Sequence, residues 1–295
     1  MSNLLNVENL SKHYEGFDLQ DISFAVPAGN VVGLVGSNGA GKSTTIKSIL
    51  GLVRPSGGSI QLFGEETVGM PDGRFAQLRQ RVGVVFDTCA FPAESTVDEV
   101  GRFMAACYRN WSTAKFNQLV ERSALPRRKC VRELSRGMGM KLSLACALAA
   151  QPDLLILDEA TAGLDPIARD EALNILREFV ADESHAILMS SHITSDLDKL
   201  ADYILCIDGG RMVFSVETDS ITGLAGVAQC RQADLLAVAE SGLYAPGTLR
   251  TLKQPLSTLV LVPDRFAFAQ AFPNIPVEHA DIDSFMNLTL KGELL

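Results

Sequence analysis

The sequence predicts an α/β fold wound about a parallel sheet, and three observations carry that prediction. Continuous apolar runs recur along the chain, among them Val31-Val32-Gly33-Leu34-Val35, Asp153-Leu154-Leu155-Ile156-Leu157, Ala186-Ile187-Leu188-Met189-Ser190 and Tyr203-Ile204-Leu205-Cys206-Ile207. Segments with helical spacing separate them. The second run ends in two carboxylates, Asp158 and Glu159, as a strand does when both its faces are buried and its C-terminal end opens on a site. Buried strands alternating with helices define the doubly wound class, in which ligands bind at the carboxyl ends of the strands.

Taken in order, residues 4 to 35 alternate short apolar runs with turns, such as Ile22-Ser23-Phe24-Ala25-Val26 before Pro27-Ala28-Gly29-Asn30, and predict short strands. Thr44 to Leu50 spaces Ile46, Ile49 and Leu50 on one helical face. Ser59 to Phe63 and Arg81 to Phe86 are strand-like. A mostly helical stretch from about 96 to 150, broken near Pro126, precedes the carboxylate strand. Beyond about residue 216 the pattern weakens. The tail holds a strand candidate, Leu256 to Val262 before Pro263, and helix candidates at Arg265 to Phe272 and Ile282 to Leu288, the latter with Asp281 as its cap. With nine acidic and five basic residues, this tail is a separate, slightly acidic appendage. The expected division is 1–215, with a helical subdomain at about 88–150, and an accessory α/β domain at 216–295.

A chain of 295 residues, 47% hydrophobic and 21% charged, can bury a large core. No run reaches the roughly 18 apolar residues of a membrane helix, and Met1-Ser2-Asn3-Leu4-Leu5 has no basic signal region, so a cytosolic location is expected. Six cysteines without C-x-x-C pairing or metal-ligand spacing read as reduced thiols, mostly small core residues. A net charge of −9 argues against a broad nucleic-acid footprint, and the short cluster Arg127-Arg128-Lys129 reads as a solvated surface.

Chemistry enters with Gly36-Ser37-Asn38-Gly39-Ala40-Gly41-Lys42-Ser43, which fits the G-x-x-x-x-G-K-[ST] phosphate loop and stands between a predicted strand and a predicted helix. Backbone amides converging on a helix N-terminus, followed by Thr44, hold phosphate oxygens. Lys42 adds a compact charge between the β- and γ-phosphates, and the Ser43 hydroxyl reaches the bridging Mg²⁺. This loop alone leaves kinases, GTP switches, helicases and transport ATPases open.

Leu134-Ser135-Arg136-Gly137-Met138 narrows the choice. Ser135 is a good N-cap and Gly137 permits close backbone approach, so the segment is a second anion site at a helix start; a capped helix packing Leu134, Met138, Leu142 and Ala145 is compatible with that use. The segment resembles the signature sequence of ATP-binding-cassette (ABC) proteins, and the resemblance extends over about residues 4 to 215. It implies a P-loop NTPase cassette with a mixed central sheet, an antiparallel β subdomain, a helical subdomain and a small C-terminal α/β extension. It also implies a dimer of cassettes, identical or not, in which each signature closes over the ATP of its partner. By the same resemblance Asp158 holds Mg²⁺, Glu159 polarises the attacking water, Asp165 lies in the loop that crosses to the partner, His192 contacts the γ-phosphate, and Tyr14 stacks on adenine. An aromatic in a strand equally serves a core, and Phe17 stands nearby.

Three positions depart from the family pattern. Asp87 stands where glutamine is usual, shorter by one methylene and charged, as a further candidate Mg²⁺ ligand. The signature carries Arg136 and Met138 where glycine and glutamine are commonest. Ala160 replaces the usual proline after the glutamate. None removes Lys42, Ser43, Asp158, Glu159 or His192, so hydrolysis is expected to survive.

A single cassette without membrane helices implies a separately encoded permease and a peripheral place on the inner face of the cell membrane. Phe103, Tyr108 and Trp111 resemble the region that receives the permease, and equally suit a helical core. The alternatives are a non-transport ABC ATPase, which usually carries two cassettes or a long coiled-coil insertion, and a nucleotide-gated regulator, which Glu159 disfavours. No nucleic-acid partner is expected. Comparable tails occur on similar export and antibiotic-response subunits.

Overall fold

In the computed structural model, which describes residues 2–295, the chain opens with strands β1 (Asn3–Tyr14) and β2 (Phe17–Pro27), joined by a two-residue turn. Strand β3 (Val31–Val35) leads into helix α1 (Lys42–Ile49). Then come β4 (Gly57–Leu62), β5 (Glu65–Glu66), α2 (Asp72–Arg79), β6 (Val82–Val85), α3 (Val97–Cys107), α4 (Thr113–Arg122) and α5 (Arg136–Ala149). The carboxylate strand is β7 (Leu154–Asp158), followed by α6 (Pro166–Val180), β8 (Ala186–Ser190), the single turn α7 (Thr194–Leu197), β9 (Tyr203–Asp208) and β10 (Arg211–Glu217). The tail comprises β11 (Gly226–Cys230), α8 (Gln232–Glu240), β12 (Arg250–Lys253), β13 (Thr258–Val262), α9 (Arg265–Ala271), β14 (Val277–His279), α10 (Ile282–Lys291) and β15 (Glu293–Leu294).

Three sheets result. The antiparallel sheet runs β2-β1-β4-β5, the central sheet β10-β9-β3-β8-β7-β6, and the tail sheet β14-β11-β13-β12-β15. In the central sheet β9, β3, β8, β7 and β6 are parallel and β10 alone is antiparallel, which is the mixed sheet that the resemblance implies.

Period-two alternation splits the buried strands between two cores. On β3, Val31 and Val35 join a core with helices α5 and α6, through residues such as Leu142, Leu173 and Leu176. Val32 and Leu34 face the other way, into a core with Ile46 and Ile49 of α1 and with Leu5, Val7 and Ile22 of the antiparallel sheet. Both faces of the parallel sheet are thus covered, which is why its strands read as continuous apolar runs.

The helical segment divides as its caps dictate. Thr96 closes a capping box with Glu99 at the start of α3, Ser112 caps α4, and the chain turns through Pro126 before Ser135 caps α5. Phe103 is exposed, whereas Trp111 packs at 5.4 Å, ring centre to ring centre, on buried Phe116.

The tail sheet buries Ala228, Cys230, Val260 and Val262 against Phe268, Val238 and Ile275 in a core of its own. Its opposite face meets α10, whose Ile282 and Leu288 belong to the same core as Leu197 of α7 and Ile204 of β9. Phe214 of β10 meets Phe285 edge to face at 5.1 Å, and the Asp198 carboxylate, which burial holds above the usual aspartate range, accepts the Ile282 N–H at 3.1 Å. All six cysteines are free. Cys146, Cys206 and Cys230 are buried, Cys89 and Cys130 half-buried and Cys107 exposed; burial pushes the Cys206 thiol up to about 12 and that of Cys230 up to about 11.

Candidate functional site

The carboxyl ends of β3, β7 and β8 meet at the start of α1, and a cavity of about 440 Å³ opens there. Its wall comprises Asn38, Gly39, Ala40, Gly41, Lys42, Ser43 and Thr44 of the loop, together with Phe17, Asp87, Arg136, Glu159, Ala162 and His192.

The loop wraps because its glycines permit it. Gly36 has φ +148°, and a Cβ there would come within 2.0 Å of the Ile207 carbonyl oxygen; Gly41 has φ +117°, with the Leu19 side chain 2.6 Å from where a Cβ would stand. Ser37 donates to Asp208 Oδ1 at 2.6 Å, which fixes the loop to the end of β9. Lys42 is only 6% exposed, and its ammonium turns back on the loop, donating to the carbonyls of Gly36 at 2.8 Å and Ser37 at 3.2 Å. Such a buried ammonium keeps the hollow of the loop positive.

Beneath the loop, Ser43 donates to Asp158 Oδ1 at 3.2 Å, and Ser190 donates to the same oxygen at 2.7 Å. Asp158 and Ser190 are register partners on neighbouring parallel strands, so sheet pairing itself sets this contact. Glu159 leaves β7 with φ +54°, an uncommon left-handed conformation for a side-chain-bearing residue, held by its N–H donating to Ser190 O and Oγ. Its carboxylate then lies between two cationic or polar neighbours. Oε1 is 3.8 Å from Lys42 Nζ, and Oε2 accepts from the His192 backbone N–H at 3.1 Å and meets His192 Nδ1 at 2.5 Å.

The signature residues stand apart from this cluster, with one exception. Ser135 accepts the Met138 N–H at 3.2 Å, as the cap reading requires, and a Cβ on Gly137 would lie in ordinary contact distance of Ala168 and Leu164. Leu134, Ser135, Gly137 and Met138 do not line the cavity, whereas Arg136 does. Asp165 caps α6 by accepting the Ala168 N–H at 2.9 Å and is likewise outside the wall. Tyr14 is exposed at the end of β1 beneath Lys12; its cross-strand partner Phe17, not Tyr14, forms part of the wall.

Two structural partners were not legible as functional residues. Ser190 grips both Asp158 and Glu159, and its signal was the polar residue closing an apolar strand. Asp208 closes β9 and has no sequence neighbour that points to the loop. Among the described residues no group of three or more histidine, cysteine or acidic side chains forms a metal cage, and no helix is long and apolar enough to cross a membrane.

The family model described as ABC transporter matches residues 19–162. The chain is 31% identical over 302 residues to the daunorubicin/doxorubicin resistance ATP-binding protein DrrA of Streptomyces peucetius, covering 96% of this chain and 86% of that protein. It is 31% identical over 224 residues to the bacitracin transport ATP-binding protein BcrA of Bacillus licheniformis, covering 75% and 72%. A solved ATP-binding subunit of an ABC transporter superposes with TM-score 0.66 at 32% identity, over 75% of this chain and 92% of that one. A dimeric cassette bound to ADP and Pi has the same fold, with TM-score 0.66 at 19% identity over 72% of this chain and 98% of its own. The chain therefore belongs to the ABC transporter family, as an ATP-binding subunit that hydrolyses ATP to power transport.

Proposed function

We propose that the cavity at the phosphate loop is the hydrolytic site and that Glu159 is its base. The convergence of Lys42, Ser43, Asp158, Glu159 and His192 on one cavity carries this reading. The loop amides and Lys42 hold the phosphates. Glu159 accepts the proton of the attacking water, and His192 orients that carboxylate and meets the terminal phosphate. The Ser43 hydroxyl and the Asp158 carboxylate already share a hydrogen bond, and Asp87 faces the same cavity. A hydroxyl and carboxylates without a closed protein cage fit Mg²⁺, which keeps most of its coordination for water and phosphate oxygens. When bound, Mg²⁺ neutralises charge on the β- and γ-phosphates. Tyr14 supports the adenine from the outer end of β1.

Two cassettes sandwich the nucleotides, the helix start at Leu134 to Met138 of each presenting its backbone amides to the partner's ATP and the loop at Asp165 crossing between them. A separately encoded permease holds the pair at the inner face of the membrane. The cassette ends near residue 215, and the tail is an accessory domain whose separate core around Phe268 supports that division.

Turnover and oligomeric state of Glu159→Gln test this. The amide keeps the shape of the carboxylate and accepts no proton, so ATP should bind while turnover falls about 10²- to 10⁴-fold and ATP-bound dimers accumulate in size exclusion. Turnover at the wild-type rate would remove Glu159 as the base.

A further inference from the structure

We infer that Arg136, a signature residue, serves the phosphates of the nucleotide held by its own chain. The inference rests on the nucleotide site proposed above and concerns which chain supplies one of its cations. Arg136 is the first residue of α5, immediately after its cap Ser135. Its side chain reaches across the loop between β7 and α6: a Cβ on Gly163 would lie 2.5 Å from Arg136 Nη1 and 2.8 Å from Cζ. Gly163 has φ +71°, and its bare Cα leaves the room in which the guanidinium lies.

From there Arg136 joins Lys42, Glu159, Ala162 and His192 in one wall, within a single chain. The two strong cations of that wall differ in how they are engaged. Lys42 is held by the Gly36 carbonyl and lies 3.8 Å from Glu159, whereas Arg136 makes no ion pair among the described residues and is exposed. An unpaired guanidinium with its donors in a planar fork is the side chain best matched to phosphate oxygens. It shares that wall with Glu159 and His192, the residues proposed to serve the attacking water and the terminal phosphate. Glycine, the usual residue at this signature position, has no side chain to make the crossing. Arg136 therefore gives this chain a preference for ATP over ADP before any partner arrives.

The test is the affinity of wild type, Arg136→Ala and Arg136→Lys for fluorescent β,γ-imido-ATP and ADP with Mg²⁺, on samples that sediment as single chains. Arg136→Ala should weaken the triphosphate about tenfold and ADP less than about twofold, as for loss of a charge-assisted hydrogen bond, with Arg136→Lys between. Unchanged affinities, or equal losses for both nucleotides, would overturn the inference and leave the proposed site standing. Failure of wild type to bind either nucleotide would instead remove the site itself.

Mixed dimers separate the two chains' contributions. Pairing a Lys42→Ala chain with an Arg136→Ala chain leaves one working loop without its own arginine, and triphosphate binding should weaken about tenfold. Pairing wild type with a chain that carries both substitutions leaves that loop its own arginine, and binding should hold. The reverse pattern would assign Arg136 to the partner's nucleotide and overturn the inference.

Discussion

Glu159 and His192 meet twice: Oε2 of the glutamate accepts the backbone N–H of His192 at 3.1 Å and contacts its imidazole Nδ1 at 2.5 Å. The contact ties the end of β7 to the loop after β8, so the carboxylate is aimed by a neighbouring strand rather than by its own. Ser190 completes the clamp from the other side, through the Glu159 N–H.

His192→Ala should therefore lower turnover about 10²-fold, the cost of a catalytic group displaced by about an ångström, and weaken ATP by no more than about tenfold, the worth of its contact with the terminal phosphate. Steady-state hydrolysis alongside equilibrium binding checks this. Wild-type turnover would mean that Glu159 keeps its aim without the histidine.

Asp87→Ala probes the departure from the usual glutamine. Asp87 is exposed on the cavity wall, where one ionic contact is worth about 1 kcal/mol, so the midpoint of a Mg²⁺ titration of nucleotide binding should rise about fivefold. Nucleotide binding without Mg²⁺ should not change. An unmoved midpoint would place Asp87 away from the ion.

Phe268→Ala tests the domain boundary. Phe268 is fully buried in the core that belongs to the tail alone, and truncating it should cost about 3–5 kcal/mol there. If the tail is an accessory domain, hydrogen exchange should show its strands loosened while nucleotide still binds at Lys42 and Ser43. Loss of nucleotide binding in a chain whose central sheet stays protected would join tail and cassette into one unit.

The sequence by itself determined the parallel sheet and the phosphate-loop motif, because both depend on local patterns. Strands covered on two faces must be apolar throughout, and a phosphate loop must place its glycines, lysine and hydroxyl at fixed spacing between strand and helix. Hence β3, β7, β8 and β9, the loop from Gly36 to Ser43 and the caps Ser135 and Asp281 were all legible, as were the strand and helices around Phe268. What lies between elements distant in the chain was decided only by tertiary structure. Sheet register makes Ser190 the partner of Asp158, packing of α5 on α6 lays Arg136 over Gly163, and the turn into β2 puts Phe17 rather than Tyr14 in the wall. The same holds for the tail, where α10 seats Phe285 on Phe214 and shares a core with the central sheet. Such contacts depend on how whole faces meet, and an apolar or polar residue carries the same local signal whichever face it meets.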